Sequence, residues 1–338
     1  MDKIFDLVDF ISEENLEKDI KTKVEPYLES NKESGFFTGQ DDISIFYKKF
    51  EVKNSIASLV IVHGLSQETS KYNEFIYYFL KSGISVYIYD QRCHGKSDRL
   101  TDNPQMIHVN SFQDYILDLK KFLNDIVLDN SKNIFIYGHS MGGSVVAKFI
   151  EKFNNIDKIK LAILSQPMLG MKSNKCGQKQ FDRYIENPEI INNSKNKYCD
   201  GQGNFNYLAC KNNSEYKKYP RYRFYLDNRL KNPEIITGGS SIGWFDEAFK
   251  AVNYVMKDKN LYKIKIPVFI FQSENDRLVS NEAQDEFAKK VKSCEIIKLK
   301  NSEHTTISSD DETFKNYLKH LLKIFENYFL KTKENKII

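Results

Sequence analysis

Residues 138–143 read GHSMGG and have the types and spacing of a tight turn that exposes a serine hydroxyl. An apolar run, residues 134–137, precedes the turn and a helix-forming segment follows it, which is the strand-turn-helix context of a nucleophile elbow. Gly138 and Gly142 fit this geometry because a Cβ at either place would crowd the crossing of strand and helix. The pattern predicts Ser140 as a nucleophile and the amide of Met141 as an oxyanion donor, with an incidental turn as the alternative.

A serine hydroxyl needs a general base, and the base needs an acid that orients it. Among the six histidines, His304 alone follows the last predicted strand, so we expect it to be the base. The acid should follow the penultimate strand, where Asp276 is preferred and Glu274 is the alternative. The other histidines are expected in early loops, before a helix, inside the elbow or on the closing helix: His63, His94, His108, His139 and His320.

An early predicted strand, residues 58–62, ends in His63-Gly64-Leu65. Gly64 would let the backbone approach a substrate oxygen, so the amide of Leu65 is predicted as the second oxyanion donor. The alternative is a simple turn. The charged loop at residues 90–99 is expected to support the core beneath the site, and no chemistry is assigned to it.

Apolar strands and amphipathic helices alternate from residue 58 to residue 165 and again from residue 244 onwards, after a predicted hairpin at residues 35–51. Such alternation predicts an α/β fold with a mostly parallel central sheet flanked by helices. We expect a helical N-terminal extension at residues 1–34 and a core formed by residues 35–167 and 244–338. Residues 168–243 break the rhythm and are interpreted as an insertion into this one domain.

Composition excludes several classes of protein. The 338 residues are 41% hydrophobic and 28% charged, as in a globular chain, and a net charge of +4 is too small to indicate a nucleic-acid partner. Acidic residues interrupt the first apolar stretch, and no uncharged apolar run reaches about 18 residues, so neither a signal peptide nor a membrane-spanning helix is expected. Five unpaired cysteines indicate reduced thiols in the cytoplasm, although Cys176, Cys199 and Cys210 leave a disulfide or metal site open.

Taken together, His63-Gly64, DQRCHGKSD at residues 90–98, GHSMGG, SENDR at residues 273–277 and His304 resemble the α/β-hydrolase superfamily. They are most similar to its lysophospholipase and monoacylglycerol lipase group, and residues 222–244 to bacterial lysophospholipases. The resemblance implies an α/β-hydrolase fold over residues 35–330, with Ser140, Asp276 and His304 as the catalytic triad. It also implies that residues 168–243 form a mainly helical lid. One departure is the loop around His304, which is more acidic and serine-rich than the group's pattern.

The predicted lid is basic and aromatic. Residues 171–235 contain 13 Lys or Arg, 7 Asp or Glu and ten Phe or Tyr, and Trp244 follows. Such a cover suits a substrate with an acyl chain and an anionic head group, and Arg221, Arg223 and Arg229 could hold a phosphate through forked hydrogen bonds. The alternative is a solvated lysine-rich surface.

The resulting expectation is a cytoplasmic serine hydrolase of lipid carboxylic esters, specifically a lysophospholipase, that requires no metal or organic cofactor. Its partners would be a lipid ester and, transiently, the inner surface of a membrane. Monoacylglycerol lipase, general carboxylesterase or thioesterase activity remains as the alternative, and a peptidase is less favoured because the insertion is not acidic. A lipid-binding protein on a hydrolase scaffold is the non-enzyme alternative, against which the complete order Ser140, Asp276, His304 argues.

Overall fold

The computed structural model describes residues 9–172, Glu186 and 188–334. Within them, eight strands form one sheet in the order β1-β2-β4-β3-β5-β6-β7-β8. The strands are β1 (Lys32–Thr38), β2 (Ser44–Phe50), β3 (Ala57–Val62), β4 (Ile84–Tyr89), β5 (Ile134–His139), β6 (Ile159–Ser165), β7 (Val268–Ser273) and β8 (Cys294–Leu299). The run from β4 to β8 is parallel, whereas β1 and β2 form an antiparallel hairpin at one edge. The predicted mostly parallel sheet is therefore confirmed.

Helices cover both faces of the sheet. They are α1 (Leu16–Asp19, continued through Ile20–Val24 and Glu25–Asn31), α2 (Asn73–Lys81), α3 (Phe112–Phe122), α4 (Met141–Lys152), α5 (Pro188–Ser194), α6 (Tyr207–Asn212), α7 (Ser214–Lys218), α8 (Pro220–Arg229), α9 (Ile242–Val255), α10 (Asp258–Leu261), α11 (Asn281–Lys290) and α12 (Asp311–Glu334). Helices α3, α4 and α9 pack on one face, and α1, α2 and α12 pack on the other.

The central strands are apolar throughout because they are buried on both faces. In β3, Val60 and Val62 contact the α3–α4 side, and Leu59 and Ile61 contact the α2–α12 side. All four are fully buried, and each such side chain contributes about 1.5–3 kcal/mol of transfer free energy to folding. This double burial holds the carboxyl ends of β3, β5, β7 and β8 at one edge of the sheet, which is where the predicted site residues follow.

The N-terminal helix ends earlier than the sequence pattern indicated. Residues 32–34 were expected in the helical extension, but Lys32 has an extended backbone and begins β1, where it pairs with Phe50. Pairing with β2 therefore prevails over the local helical pattern. Between β6 and β7 the described residues form the helices α5 to α10.

Candidate active site

The turn between β5 and α4 forces Ser140 into a backbone conformation that few residues adopt. Its φ is 52° and its ψ is −117°, a strain of about 1–3 kcal/mol that the surrounding structure must hold. A Cβ on Gly138 would lie 2.5 Å from the carbonyl oxygen of Gly142, and a Cβ on Gly142 would lie 2.1 Å from that of Val62. Only glycine fits at these two positions, and the two glycines therefore allow the tight turn that presents the Ser140 hydroxyl.

His304 lies between the serine and an aspartate. Its Nε2 is 2.9 Å from the Ser140 Oγ, and its Nδ1 is 2.7 Å from the Asp276 Oδ2. Ser140 follows β5, Asp276 follows β7 and His304 follows β8, so the parallel sheet brings together three side chains that are far apart in sequence. The structure thus places the three predicted residues in the geometry of a nucleophile, its base and the acid that orients the base.

The carboxylate of Asp276 is fully buried and is stabilised by hydrogen bonds from the protein. Burial alone would raise its pKa, yet the pKa lies below its usual value because His304 and the amides of Leu278 and Val279 stabilise the charged form. An ionised Asp276 accepts the Nδ1 proton of His304, which leaves Nε2 free to accept a proton from Ser140. The alternative acid, Glu274, is exposed and accepts a hydrogen bond from the amide of Asn301 instead.

Two backbone amides flank the serine. Met141 is the first residue of α4, and Leu65 lies just after β3 in the turn that contains Gly64. A Cβ on Gly64 would lie 3.1 Å from the Cβ of Ser140, which shows how closely the two turns approach. Neither amide donates a hydrogen bond to another group in the described part of the chain. Both amides, which were predicted as oxyanion donors, can therefore donate to a substrate oxygen without losing another hydrogen bond.

Polar residues that the sequence analysis did not single out hold the Leu65 turn in place. The amide of Gly64 donates to Gln67 Oε1 (3.0 Å), and Gln91 uses its amide and its side chain to bind His63 (2.9 and 2.6 Å). Because the Gln91 amide donates to His63 Nε2, the proton must lie on Nδ1, which donates to the carbonyl of Gly64 (2.8 Å). Asp90 accepts hydrogen bonds from two further amides, those of Thr69 and Lys96, so this residue of the loop at 90–99 holds the neighbouring backbone in place.

The remaining histidines are structural in the described residues. Burial lowers the pKa of His63 to about 4, and it also lowers the pKa of His94 and His139. The His139 ring lies 5.1 Å from that of His304 and is neutral, so it does not oppose a positive charge on the base. His108 contacts the Ser241 hydroxyl, and His320 is exposed on α12.

Ser140 and His304 open into a cavity of about 1010 Å³. One wall is apolar and comes largely from α9, including Trp244, Phe249 and Val252. A second, polar part of the wall comes from α8 and the turn at Thr69–Tyr72, including Tyr222 and Lys71. Trp244, which was predicted to bind substrate, is thus one of the residues that line the cavity.

The arginines predicted to bind a phosphate occupy different places. Arg221 is buried outside the cavity, where its guanidinium contacts the carboxylates of Glu74 (3.0 Å) and Asp311 (2.7 Å). Arg223 is exposed on a separate surface groove between α1 and α8. The expectation that these two contact substrate is corrected, because Arg221 is already paired with carboxylates and Arg223 lines a groove that does not contain Ser140. Arg229 does line the cavity, but it is bound to Glu68 (3.4 Å) and to the Thr237 hydroxyl (2.9 Å).

Two of the described cysteines, Cys199 and Cys210, are among the residues that line the cavity. Cys93, Cys199, Cys210 and Cys294 are free thiols, and Cys176 lies outside the described residues. Within the described ranges, no group of three or more His, Cys, Asp or Glu side chains is placed to hold a metal ion. A search of the described helices found none long and apolar enough to span a bilayer.

The chain is similar to known hydrolases over most of its length. Residues 53–311 match the model of a family described as serine aminopeptidase S33. Lysophospholipase L2 of Escherichia coli (strain K12) is 29% identical over 256 residues, which cover 74% of this chain and 73% of that protein. A probable lysophospholipase L2 of Haemophilus influenzae is 24% identical over 300 residues, with 87% and 91% covered.

A soluble variant of the monoglyceride lipase of Saccharomyces cerevisiae has a similar structure, with a TM-score of 0.67 at 16% identity and with 88% of this chain and 94% of that chain covered. At this identity the likeness shows the fold, which is the predicted α/β-hydrolase fold. Together with the family match it makes the protein an enzyme rather than a lipid-binding protein. The chain therefore belongs to the serine aminopeptidase S33 family and is a serine hydrolase of the α/β-hydrolase fold.

Proposed function

We propose that this enzyme hydrolyses carboxylic esters of lipids and that its preferred substrate is a monoacyl glycerophospholipid. The observation that carries the proposal is the cavity, which contains Ser140 and His304 and has both an apolar and a polar part to its wall. A monoacyl lipid has the matching division, with its ester between an acyl chain and a polar head. The names of the relatives, lysophospholipase and monoglyceride lipase, support the same class of substrate.

The proposed reaction follows from the contacts of His304. Its Nε2 accepts the Ser140 proton as Oγ attacks the ester carbonyl, and Asp276 stabilises the imidazolium that forms. The amides of Leu65 and Met141 hold the oxyanion, and one such donor is typically worth about 3–4 kcal/mol in the transition state. His304 then protonates the leaving alcohol. Water activated by the same imidazole releases the fatty acid from Ser140.

The size and lining of the cavity suit an acyl chain. Its volume of about 1010 Å³ lies at the upper end of ligand pockets, which are typically about 300–1,000 Å³. Trp244, Phe245 and Phe249 from α9 would contact the chain, and the described part of the insertion at residues 168–243 would serve as its lid. Burying each methylene would contribute about 0.8 kcal/mol.

The test compares fatty-acid release from lysophosphatidylcholine and from monooleoylglycerol, with Ser140→Ala as the inactive control. Faster turnover of lysophosphatidylcholine that Ser140→Ala abolishes is the expected result. Preference for monooleoylglycerol would replace the proposal by a monoacylglycerol lipase. Cleavage of short p-nitrophenyl esters alone would leave only a general carboxylesterase.

One observation favours a second candidate, the aminopeptidase activity in the family's description. Glu215 lines the cavity beside Glu303, and burial together with this second carboxyl raises the pKa of Glu215. Such an acidic pair could bind the free amino group of a peptide. Hydrolysis of proline p-nitroanilide that is lost in Glu215→Gln would support this candidate, and the absence of that hydrolysis in the wild-type enzyme would exclude it.

A further inference from the structure

Lys71 is a basic residue on the cavity wall whose ammonium forms no ion pair with a carboxylate in the described part of the chain. It lies in the helical turn Thr69–Tyr72, which follows β3, and it lines the same cavity as Ser140. Its Nζ lies 5.1 Å from the centroid of the Tyr225 ring. It forms no ion pair within 4.0 Å with any carboxylate of the described residues. The side chain is partly buried, so its charge is poorly hydrated and open to an anionic ligand.

The other basic residues of the cavity wall differ from Lys71 in this respect. Arg229 is held by Glu68 and by Thr237, and the Nζ of Lys172 donates to the carbonyl oxygen of Asp276 (3.0 Å). Arg277 is exposed to solvent. Four basic residues line the cavity in the described ranges. Lys71 is the partly buried one whose charged group forms neither an ion pair nor a hydrogen bond with a described residue.

We propose that Lys71 binds the phosphate of a monoacyl glycerophospholipid and thereby makes the enzyme prefer it to an uncharged monoacylglycerol. The proposal rests on the ester hydrolysis proposed above and names the residue that selects the head group. The apolar wall from α9 would take the acyl chain, and the polar wall that contains Lys71, Tyr222 and Tyr225 would take the head. A charge-assisted hydrogen bond in such a partly buried place is stronger than one at the surface.

The charge on Lys71 depends on pH in a useful range. Burial lowers the pKa of Lys71 to about 8, an effect that Glu68 and Glu215 oppose and Arg229 strengthens. Tyr225, which faces the ammonium, stays neutral because burial raises its pKa well above the usual value. Lys71 is thus charged at neutral pH and loses its charge as the pH rises through about 8, so preference for a phosphate should weaken above that pH.

The experiment measures kcat/KM for lysophosphatidylcholine and monooleoylglycerol in the wild-type enzyme, Lys71→Met, Lys71→Arg and Arg223→Met. We expect Lys71→Met to lower the ratio of the two values on the order of 10-fold to 100-fold, the usual range for a lost charged hydrogen bond. Lys71→Arg should keep the ratio and remove its decline above pH 8, because arginine stays charged. Arg223→Met removes an equivalent charge outside the cavity and should leave the ratio unchanged.

An unchanged ratio in Lys71→Met, or an equal loss on both lipids, would overturn the proposal. Binding of ether analogues, which cannot be hydrolysed, tests the phosphate site separately from the proposed ester hydrolysis. If the wild-type enzyme cleaves neither lipid, the ester hydrolysis is wrong. Tighter binding of an alkyl-ether glycerophosphocholine by the wild-type enzyme than by Lys71→Met, with alkyl-ether glycerol bound equally, would still support the phosphate site. Equal binding of the phosphate analogue by both proteins would reject it.

Discussion

Asp276 is fixed from two directions, and this determines the state of the base. Its Oδ1 accepts the amides of Leu278 and Val279, so its Oδ2 is held towards the Nδ1 of His304 at 2.7 Å. The carboxylate cannot turn away without losing two hydrogen bonds. It therefore keeps the Nδ1–H tautomer of His304, in which Nε2 is an acceptor for the Ser140 proton.

Replacing this carboxylate by an amide should stop catalysis while preserving the fold. We expect Asp276→Asn to lower kcat for ester hydrolysis on the order of 10⁴-fold, because an amide donor would favour the wrong tautomer of His304. KM should change little. Steady-state kinetics on a p-nitrophenyl ester measure both values. Glu274→Gln is the matched control, since Glu274 is two residues away and contacts Asn301 instead of His304. A comparable loss in the control would contradict the assignment of Asp276.

A single methyl group should disrupt the elbow. In Gly142→Ala the new Cβ would lie 2.1 Å from the carbonyl oxygen of Val62, so the start of α4 must move away from β3. We expect about 1–3 kcal/mol less free energy of unfolding and a large loss of kcat, because Ser140 and the amide of Met141 move with the helix. Urea unfolding and ester hydrolysis measure the two effects. Gly203→Ala, where the added Cβ would meet no atom within 4 Å, should leave the free energy of unfolding unchanged, and an equal loss of stability there would refute the packing argument.

The sequence predicts the site residues that directly follow strands. It does not predict the roles of residues whose partners are distant in sequence. Ser140, Asp276 and His304 were selected because each follows a predicted strand, and the structure brings these three within hydrogen-bond distance. Lys71 belongs to no motif, and its importance depends on a cavity that forms only when α8 and α9 fold over it. Arg221 was misread because the carboxylates that neutralise it lie 147 and 90 residues away.

At the scale of elements, Arg221 joins α8 to three other segments. Its guanidinium contacts Glu74 on α2, Asp311 on α12 and the carbonyl oxygen of Ile11. It also packs over the rings of Phe10 and Phe314, with centroids at 5.3 and 5.2 Å. The helix that contributes Tyr222 and Tyr225 to the cavity wall is thus anchored to the core by one buried side chain.

Loss of this anchor should affect stability rather than binding. Arg221→Met leaves Glu74 buried without its cation, so we expect the free energy of unfolding to fall by about 3 kcal/mol. The KM for a short ester should stay within about 2-fold, since Arg221 lies outside the cavity. Arg223→Met, on the exposed side of the same helix, should alter neither quantity. A selective rise in KM for lysophosphatidylcholine in Arg221→Met would restore its original assignment to the head group.

Helices and strands with a strong apolar period were predictable from the sequence. Element ends at which sheet pairing competes with a local helical preference were not. The strand before Ser140 is short and apolar, and its predicted residues 134–137 fall within the observed Ile134–His139. The α-helix that begins at Phe112 ends at Phe122 and continues as a π-helix to Val127, a change that the apolar period does not indicate. The first strand begins at Lys32 because pairing with β2 replaces the helical preference of residues 32–34. Hydrogen bonds made across the sheet are invisible to a local pattern.

For the molecule as a whole, the buried histidines couple stability to pH. His63, His94 and His139 have lowered pKa values because burial penalises their charged forms. At His63 the unfolded chain therefore binds more protons than the folded one between about pH 4 and pH 6.5, and His94 and His139 act in the same direction below pH 6.5. The stability that these groups contribute is complete above pH 6.5 and is lost as the pH falls towards 4. Buried carboxyls with raised pKa values, such as Glu74 and Asp90, act in the opposite direction.

A comparison of variants isolates the contribution of one histidine. In His63→Asn the free energy of unfolding should depend less steeply on pH between 6.5 and 4, by about 1.4 kcal/mol per pH unit at most. Asn can still donate to the carbonyl of Gly64, which limits other damage. Chemical unfolding at several pH values gives the slopes. His320→Asn, at an exposed position, should keep the wild-type slope, and an unchanged slope in His63→Asn would refute the argument.

The distance along the chain between Ser140 and His304 has a consequence for synthesis. The two residues are 164 positions apart, and a ribosome adding about 5–20 residues per second needs roughly 10–30 s to cover that interval. During that time the nascent polypeptide already carries its nucleophile but lacks the imidazole that activates it. Asp311, which forms an ion pair with Arg221, is translated later still. Translation order therefore keeps the serine inert until the cavity above it can be assembled.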